Sequence, residues 1–420
     1  MDDSHLSSTA VNSSSKLLHK SKASPPKWGH FLIRLLLCGI VVAMLFQVSG
    51  YFLRSRSIQH SVLILPFQQK ENHSKDLRVG FKQNWTADMG MYHHHHSNKK
   101  KIIFGATKTY GEWEKRFDFE PCRYKNCVVI TGGELREMEK ADMVLFRREF
   151  IGELPRVPPR IRRKQIWVVE NLEPPSLGPA YSFPPKFDGV FNVTMTYRRD
   201  SEFYYPYYWT FKTNQTRGNS TPNYAATKVR GAFAYVSNCD SHGYDRLKLM
   251  KALRKYIDVD VFGDCTGTRP CPRMQYQCEK KVHSQYRFFL AFENSLCRDY
   301  ITEKFWARLA SDGFFVPVVV GGQDIKDYTS VAPPNSFIHV YNFSSLEQLG
   351  SHLHHLMVND TAYNQYHVWR REYSMKKGPS PDMACYACQI ANEKPVLPGH
   401  NNLYKWWDND GVCRQLKLEN

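Results

Sequence analysis

The stretch DYITEKFWARLASDG, Asp299 to Gly313, sets a lysine where a helix favours an anion. Phe305, Trp306 and Leu309 supply an apolar face, Asp299 or Thr302 can cap the start, and Gly313 can end the helix. Glu303 and Lys304 then fall in the first turn. Unsatisfied backbone N–H groups and the positive end of the helix dipole favour a carboxylate there and disfavour a cation, by up to ~1 kcal/mol. Lysine becomes sensible if an anion such as a phosphate occupies that end, because N–H groups and ammonium then converge on it. The pattern is equally compatible with a lysine whose stem bends away into solvent. A second chemical feature is VVENLEPPSLGP, which offers two carboxylates, Glu170 and Glu173, just after a strand-like run; a carboxylate so placed can take a proton from a hydroxyl. Asp258-Val259-Asp260 has the D-x-D spelling of some metal-dependent enzymes, but alternation points both aspartates to one face as ordinary strand residues, and we read no metal site there.

The elements that must position these residues are short β-rich runs separated by helical segments. KIIFG, CVVITGG, ADMVLF, QIWVVE and GVFNVTM (Gly189 to Met195) read as strands, with the helical ELREMEKAD between the second and third. The pair Gly132-Gly133 reads as an ordinary tight turn, since the rest of a G-x-G-x-x-G pattern is missing. The polar, aperiodic Phe211 to Gly231 marks a domain junction. Beyond it AFAYVSN, DRLKLMKALRKYI (with Leu247, Met250, Leu253 and Ile257 at helical spacing), VDVFG, RFFLAFENS, TEKFWARLASDG and FFVPVVVGG form a second alternating set. Two successive α/β domains suit a large ligand held in the crevice at the carboxyl ends of the strands.

The rest of the chain sets the expected compartment. Leu35 to Leu53 carries no charged side chain and approaches the ~20 apolar residues that cross a bilayer. More Lys and Arg precede it than follow it closely, which keeps the amino terminus cytosolic. Residues 1–34 read as a cytosolic tail, 35–53 as a signal anchor and 54–100 as a polar stem that includes His93 to His96. An acceptor-side domain (101–220), a ligand-binding domain (221–372) and a Cys-containing segment (373–420) follow. Cysteines 122, 127, 239, 265, 271, 278, 297, 385, 388 and 413 form an even set, so disulfides are expected; CYAC lacks the second pair that zinc needs. Sequons at Asn72, Asn84, Asn192, Asn214, Asn219, Asn342 and Asn359 fit a secretory glycoprotein as a group. The formal net charge of +17 admits nucleic acid, anionic membrane or small anionic ligands as partners and does not choose among them.

RFFLAFENSLCRDYITEKFW followed by VPVVVGG closely resembles the signature of the α1,3-fucosyltransferases, type II Golgi membrane enzymes that use GDP-fucose. The resemblance extends upstream through ADMVLF, FNVTMTYRRDSEFYYPY and AYVSN. It implies a GT-B-like fold, two Rossmann-like domains facing a central cleft, and inversion at the sugar carbon. It places Tyr300, Glu303 and Lys304 on the donor, with Glu303 accepting from ribose hydroxyls and Lys304 meeting the diphosphate. Arg246 matches an arginine that pairs with phosphate, for which a guanidinium fork is suited, and Asn294 of FENS joins the donor set. A family glutamate proposed as the base aligns with Glu173, Glu170 being the reserve; Pro174-Pro175 departs from the Ser-Pro of many members. Because the leaving diphosphate is already a weak base, one carboxylate suffices, as does the base of an inverting glycosidase. No metal is implied for the chemistry, divalent cations being at most stimulatory.

The resemblance thus implies fucose transfer to the 3-hydroxyl of N-acetylglucosamine in glycoprotein glycans, with core and antennary acceptors both left open. One alternative is a non-catalytic lumenal carbohydrate-binding protein of the same fold that stacks sugars on Phe203 to Trp209 (FYYPYYW). A nucleic-acid binder fits poorly, because the basic residues are scattered and form no recognised binding motif.

Overall fold

Apolar runs too short for helices and buried on both faces become parallel strands. The computed structural model, which describes residues 99–106, 117–131, 135–151, 165–213, 222–240, 242–272, 275–393, 395, 397–408 and 411–416, contains two such sheets. In the first, β1 (Lys101–Gly105), β2 (Cys127–Thr131), β3 (Met143–Arg147), β4 (Ile166–Asn171), β5 (Val193–Thr196) and β6 (Phe203–Tyr204) lie in the order β2-β1-β3-β4-β5-β6, every pair parallel. Successive residues feed opposite cores: Met143 and Leu145 of β3 join Ile166 and Val168 of β4, while Val144 and Phe146 join Trp167 and Val169. The run expected to be a strand from Gly189 is extended only from Val193. Gly189 turns at φ 75°, and the Asn192 side chain, not its backbone, accepts from the Trp167 N–H at 3.0 Å.

The second sheet follows a connecting strand, β7 (Tyr208–Lys212). It comprises β8 (Arg230–Tyr235), β9 (Val259–Phe262), β10 (Tyr286–Phe292), then, after the short β11 (Leu296–Cys297), β12 (Val316–Val320) and β13 (Ile338–His339), in the parallel order β13-β12-β10-β8-β9. Helix α1 (Arg246–Leu253), after β8, ends before the expected Ile257, because the Arg254 N–H turns back to Lys251 and its guanidinium holds the Val259 carbonyl that opens β9. Helix α2 (Glu303–Leu309) packs Phe305, Trp306 and Leu309 on one face of the sheet; α3 (Leu346–Val358) packs Leu349, Leu353 and Leu356 on the other. The chain leaves β8 for β9 on one side and returns across it to β10. The strand order therefore reverses between β8 and β10, where a crevice opens at the carboxyl ends.

The segment after residue 373 does not stay with the second sheet. β14 (Tyr373–Lys377) pairs antiparallel with β7, and α4 (Pro381–Glu393) lays Met383, Ala384, Ala387 and Ile390 on the first sheet among Ile103, Met143 and Val168. Cys122–Cys385 and Cys127–Cys388 fasten it there, which disposes of both CYAC cysteines. Cys239–Cys265, Cys271–Cys278 and Cys297–Cys413 complete the pairing, the last beside the contact of β11 with β15 (Cys413–Arg414). All described residues fall in one compact unit, Ser61–Asn420. The expected tail, anchor and nearly all of the stem with its histidine run, like Gly132-Gly133 and the sequons at Asn72, Asn84, Asn214 and Asn219, lie outside the described residues. Among the described residues no helix is long and apolar enough to cross a membrane.

Of the sequons in described residues, Asn342 is exposed and Asn359 half-buried. Asn192 is 8 % exposed; its Oδ1 accepts from Trp167 and its Nδ2 donates to the Leu397 carbonyl at 2.8 Å. A glycan there is incompatible with this packing, so Asn192 leaves the group of candidate sites. Peptide mapping by mass spectrometry of the folded protein is expected to find Asn192 unmodified. Asn192→Ala, which orphans the buried Trp167 N–H, is expected to lower the unfolding free energy by about 1–3 kcal/mol in urea titrations.

Candidate active site

A cavity of about 340 Å³ opens at the switch point of the second sheet. Tyr235 and the turn Val236 to Asn238 after β8 line one side, Asn294 after β10 another; Arg246 from the start of α1 and Glu303, Lys304 and Arg308 from α2 converge on it. Four of the expected donor residues, Arg246, Asn294, Glu303 and Lys304, thus meet in one place, although they are up to 58 positions apart in the chain.

The cation at the start of α2 has a partner that sequence reasoning missed. Glu293, the residue after β10, is 0 % exposed, and its carboxylate accepts from the Thr302 N–H at 2.7 Å and from Thr302 Oγ1 at 2.8 and 3.0 Å. Lys304 Nζ lies 3.4 Å from Glu293 Oε2 and 3.4 Å from Glu303 Oε1. Thr302 also caps the helix by accepting the Lys304 N–H. Lys304 therefore does not bend into bulk water: it is a quarter exposed on the cavity side and tied to a buried carboxylate on the other. Burial pushes the Glu293 carboxyl up against the opposing pull of Lys304. Burial also works against the Lys304 ammonium, yet Glu293, Glu303 and Glu173 hold its pKa above the ordinary lysine value. A carboxylate closing the apolar run FFLAF, Phe288 to Phe292, was the available signal.

Arg246 is 2 % exposed, not a solvated charge on a basic helix. Its guanidinium donates to the carbonyls of Phe292 (3.5 Å) and Asn238, while Nε finds no hydrogen-bond partner in the structure. Asn294 is 8 % exposed with Oδ1 buried and unpartnered. Both residues line the cavity, with these two atoms buried beside it. Asp260 of the D-x-D pairs with Arg230 at 2.7 Å and accepts from the Tyr286 hydroxyl at 2.8 Å. Among the described residues no group of three or more His, Cys, Asp or Glu side chains is arranged to hold a metal ion.

Glu173 does not line the cavity, but it lies close enough for the Lys304 charge to act on it. Its backbone N–H bonds Asn171 Oδ1 at 3.2 Å, and Pro174 and Pro175 open a 3-10 turn over Pro175–Leu177, a position where a fixed φ and a missing N–H cost nothing. Ser176 Oγ then bonds Ser295 Oγ of FENS at 2.9 Å, docking the loop on the second sheet. Tyr300, expected on the donor, is 1 % exposed and gives its hydroxyl to Glu173 Oε2 at 2.6 Å; the Tyr207 hydroxyl is shared between the Leu172 carbonyl at 2.9 Å and Glu173 Oε1 at 3.2 Å. Burial raises the Glu173 pKa, opposed by Tyr300, Lys304 and Tyr207. Glu170 is buried in β4 with Oε2 3.4 Å from Arg147 Nε. The run FYYPYYW is largely spent on packing: Phe203 and Tyr205 are buried, and Tyr208 stacks on Trp306.

The family profile "Fucosyltransferase, N-terminal" matches residues 98–208, and "Glycosyltransferase family 10 (fucosyltransferase) C-term" matches residues 225–406. The chain is 33% identical over 315 residues, 71% of its length, to Glycoprotein 3-alpha-L-fucosyltransferase A of Drosophila melanogaster, and spans 58% of that protein. It is 35% identical over 260 residues to Alpha-(1,3)-fucosyltransferase 7 of Bos taurus, covering 61% of this chain and 70% of the bovine one. A crystal structure of an alpha1,3-fucosyltransferase with GDP overlaps 74% of this chain and 95% of its own, at 13% identity and a TM-score of 0.46, too distant to add to the argument.

The coupling of Glu293 to Lys304 is measurable. Glu293→Ala is expected to cost about 3 kcal/mol of unfolding free energy, because it orphans the Thr302 N–H and leaves the Lys304 ammonium with only the more exposed Glu303 as counter-charge. The double variant Glu293→Ala/Lys304→Met should recover part of that loss; strict additivity in the double-mutant cycle would show that the two side chains do not act together.

Proposed function

We propose that the chain, which belongs to glycosyltransferase family 10, the fucosyltransferases, transfers L-fucose from GDP-β-L-fucose to the 3-hydroxyl of an N-acetylglucosamine in a glycoprotein glycan, core or antennary. The observation that carries this reading is one charge arrangement: Lys304 lines a cavity with Arg246 and also acts on the half-buried Glu173. The cavity lies at the carboxyl ends of parallel strands, where α/β sheets bind nucleotides, and the cations Arg246 and Lys304 on its wall suit a nucleoside diphosphate. The relatives' names, which specify α1,3-fucosyl transfer, support the same substrate class.

These positions support the following step. The acceptor oxygen attacks the sugar carbon from the face opposite the diphosphate, Glu173 takes the hydroxyl proton, and the C–O bond to the diphosphate breaks with inversion. The charge that grows on the leaving diphosphate falls to Lys304 and Arg246, which serve in place of a general acid. Glu303, more than half exposed at the cavity, accepts from the ribose hydroxyls. A base whose pKa stands above the usual carboxylate range is better matched to a neutral medium than an ordinary glutamate. We place the enzyme in the Golgi membrane with its body lumenal, on the strength of the apolar run 35–53 and the paired cysteines.

Transfer of radiolabelled fucose from GDP-fucose to a panel of glycopeptides tests the activity, and Lys304→Ala and Arg246→Ala are each expected to lose a hundredfold or more in rate, about 2.7–4 kcal/mol. Wild-type turnover in both variants removes their assigned roles. The acid limb of the pH–rate profile is set by Glu173, active when deprotonated. Tyr300→Phe deletes a hydrogen bond that lowers the Glu173 pKa, so its limb should move to higher pH; Tyr207→Phe should move it the same way and less, the bond being longer. A uniform loss of activity at every pH would instead mean that the tyrosines only support the fold.

A further inference from the structure

Arg246 and Lys304 are set against the diphosphate, and the cavity holds a third cation. Arg308 sits one turn after Lys304 on the same face of α2 and lines the same cavity. Among the described residues no carboxylate lies within ion-pair distance of it; Glu279 and Glu303 act on it only at longer range. Its guanidinium carbon lies over two rings that also line the cavity, 5.0 Å from the centroid of Phe289 and 5.4 Å from that of Tyr235. The Tyr235 hydroxyl is itself engaged, 2.9 Å from His283 Nε2. Burial and the Arg308 charge hold that imidazole neutral, its pKa down to about 4. This end of the cavity is therefore apolar and aromatic, and its one charge has no counter-ion of its own.

A guanidinium lying over a ring buries its flat face and keeps its N–H edge in plane, free for a planar acceptor. Guanine offers two adjacent acceptors, O6 and N7, which that edge matches in a bidentate contact, whereas adenine sets an amino donor beside N7. We infer that Arg308, backed by Phe289 and Tyr235, forms the purine-recognising end of the cavity and selects guanine over adenine. The inference rests on the reading of this cavity as the donor site, and it assigns the phosphates to Arg246 and Lys304 alone.

The test is binding of GDP, ADP and inorganic pyrophosphate to the full-length chain by titration calorimetry, without acceptor, for wild type, Arg308→Lys and Arg308→Ala. Wild type is expected to prefer GDP over ADP by about ten- to a hundredfold. Both variants should bring that ratio close to one with pyrophosphate affinity changed by less than about twofold, since lysine keeps charge and stem but lacks the fork. A retained GDP preference in Arg308→Lys overturns the inference, and this variant decides alone should Arg308→Ala fail to fold. Parallel loss of pyrophosphate and GDP binding also overturns it, by making Arg308 a third phosphate ligand. Wild type that binds neither GDP nor pyrophosphate would remove the donor-site reading itself, a result distinct from an unchanged base preference.

Discussion

A carboxylate taken fully out of water must be given hydrogen-bond donors and a cation, and Glu293 imposes that requirement on the second sheet. Thr302 answers it with its backbone N–H and hydroxyl, Lys304 with its charge. The same threonine caps α2, so the start of the helix is registered to the end of β10, not merely packed beside it. Space is fixed too: a Cβ on Gly321 would come within 2.9 Å of Glu293 Cγ and 2.4 Å of the Tyr328 hydroxyl. Once Lys304 is held, Arg308 one turn later and the turn after β8 have their places around one cavity.

Glu173 belongs to the other sheet, and its position is a joint product of both. Asn171 shapes its loop from the first sheet, whereas Tyr300 and Ser295 reach it from the second. Arg199, after β5, adds an ion pair to Asp299 at 2.6 Å and one to Asp327 at 3.3 Å. The antiparallel pairing of β7 with β14 stands apart from both sheets as a two-stranded ladder of its own. Glu173 and the cations that face the cavity are thus aligned by bonds that cross from one sheet to the other, and not by either sheet alone.

The strands were legible because both faces of each are buried, which leaves continuous apolar runs, and the face of α2 was legible from Phe305, Trp306 and Leu309 at helical spacing. Strand order was not legible, since it depends on which run pairs with which; with it went the reason the cavity lies between β8 and β10. Pattern also said that Lys304 was out of place without saying why. Its partner precedes it by 11 positions on another element, and burial, which turns Glu293 from an ordinary carboxylate into one that demands a cation, is a property of the fold. The bond of Tyr300 to Glu173 was not legible for a similar reason, because a motif gives the neighbours of a hydroxyl along the chain but not the group it meets across it.

The return of α4 to the first sheet bears on how the molecule can be made. Residues 381–393 cover Ile103, Met143 and Val168, so that face of a sheet whose strands are all complete by Tyr204 stays uncovered while some 180 further residues are being synthesised. The early half must wait, shielded by chaperones or by transient collapse, for an element encoded almost at the end. A reading frame cut short before α4 would then lose more than a tail: it would strip the roof from the layer that was translated first.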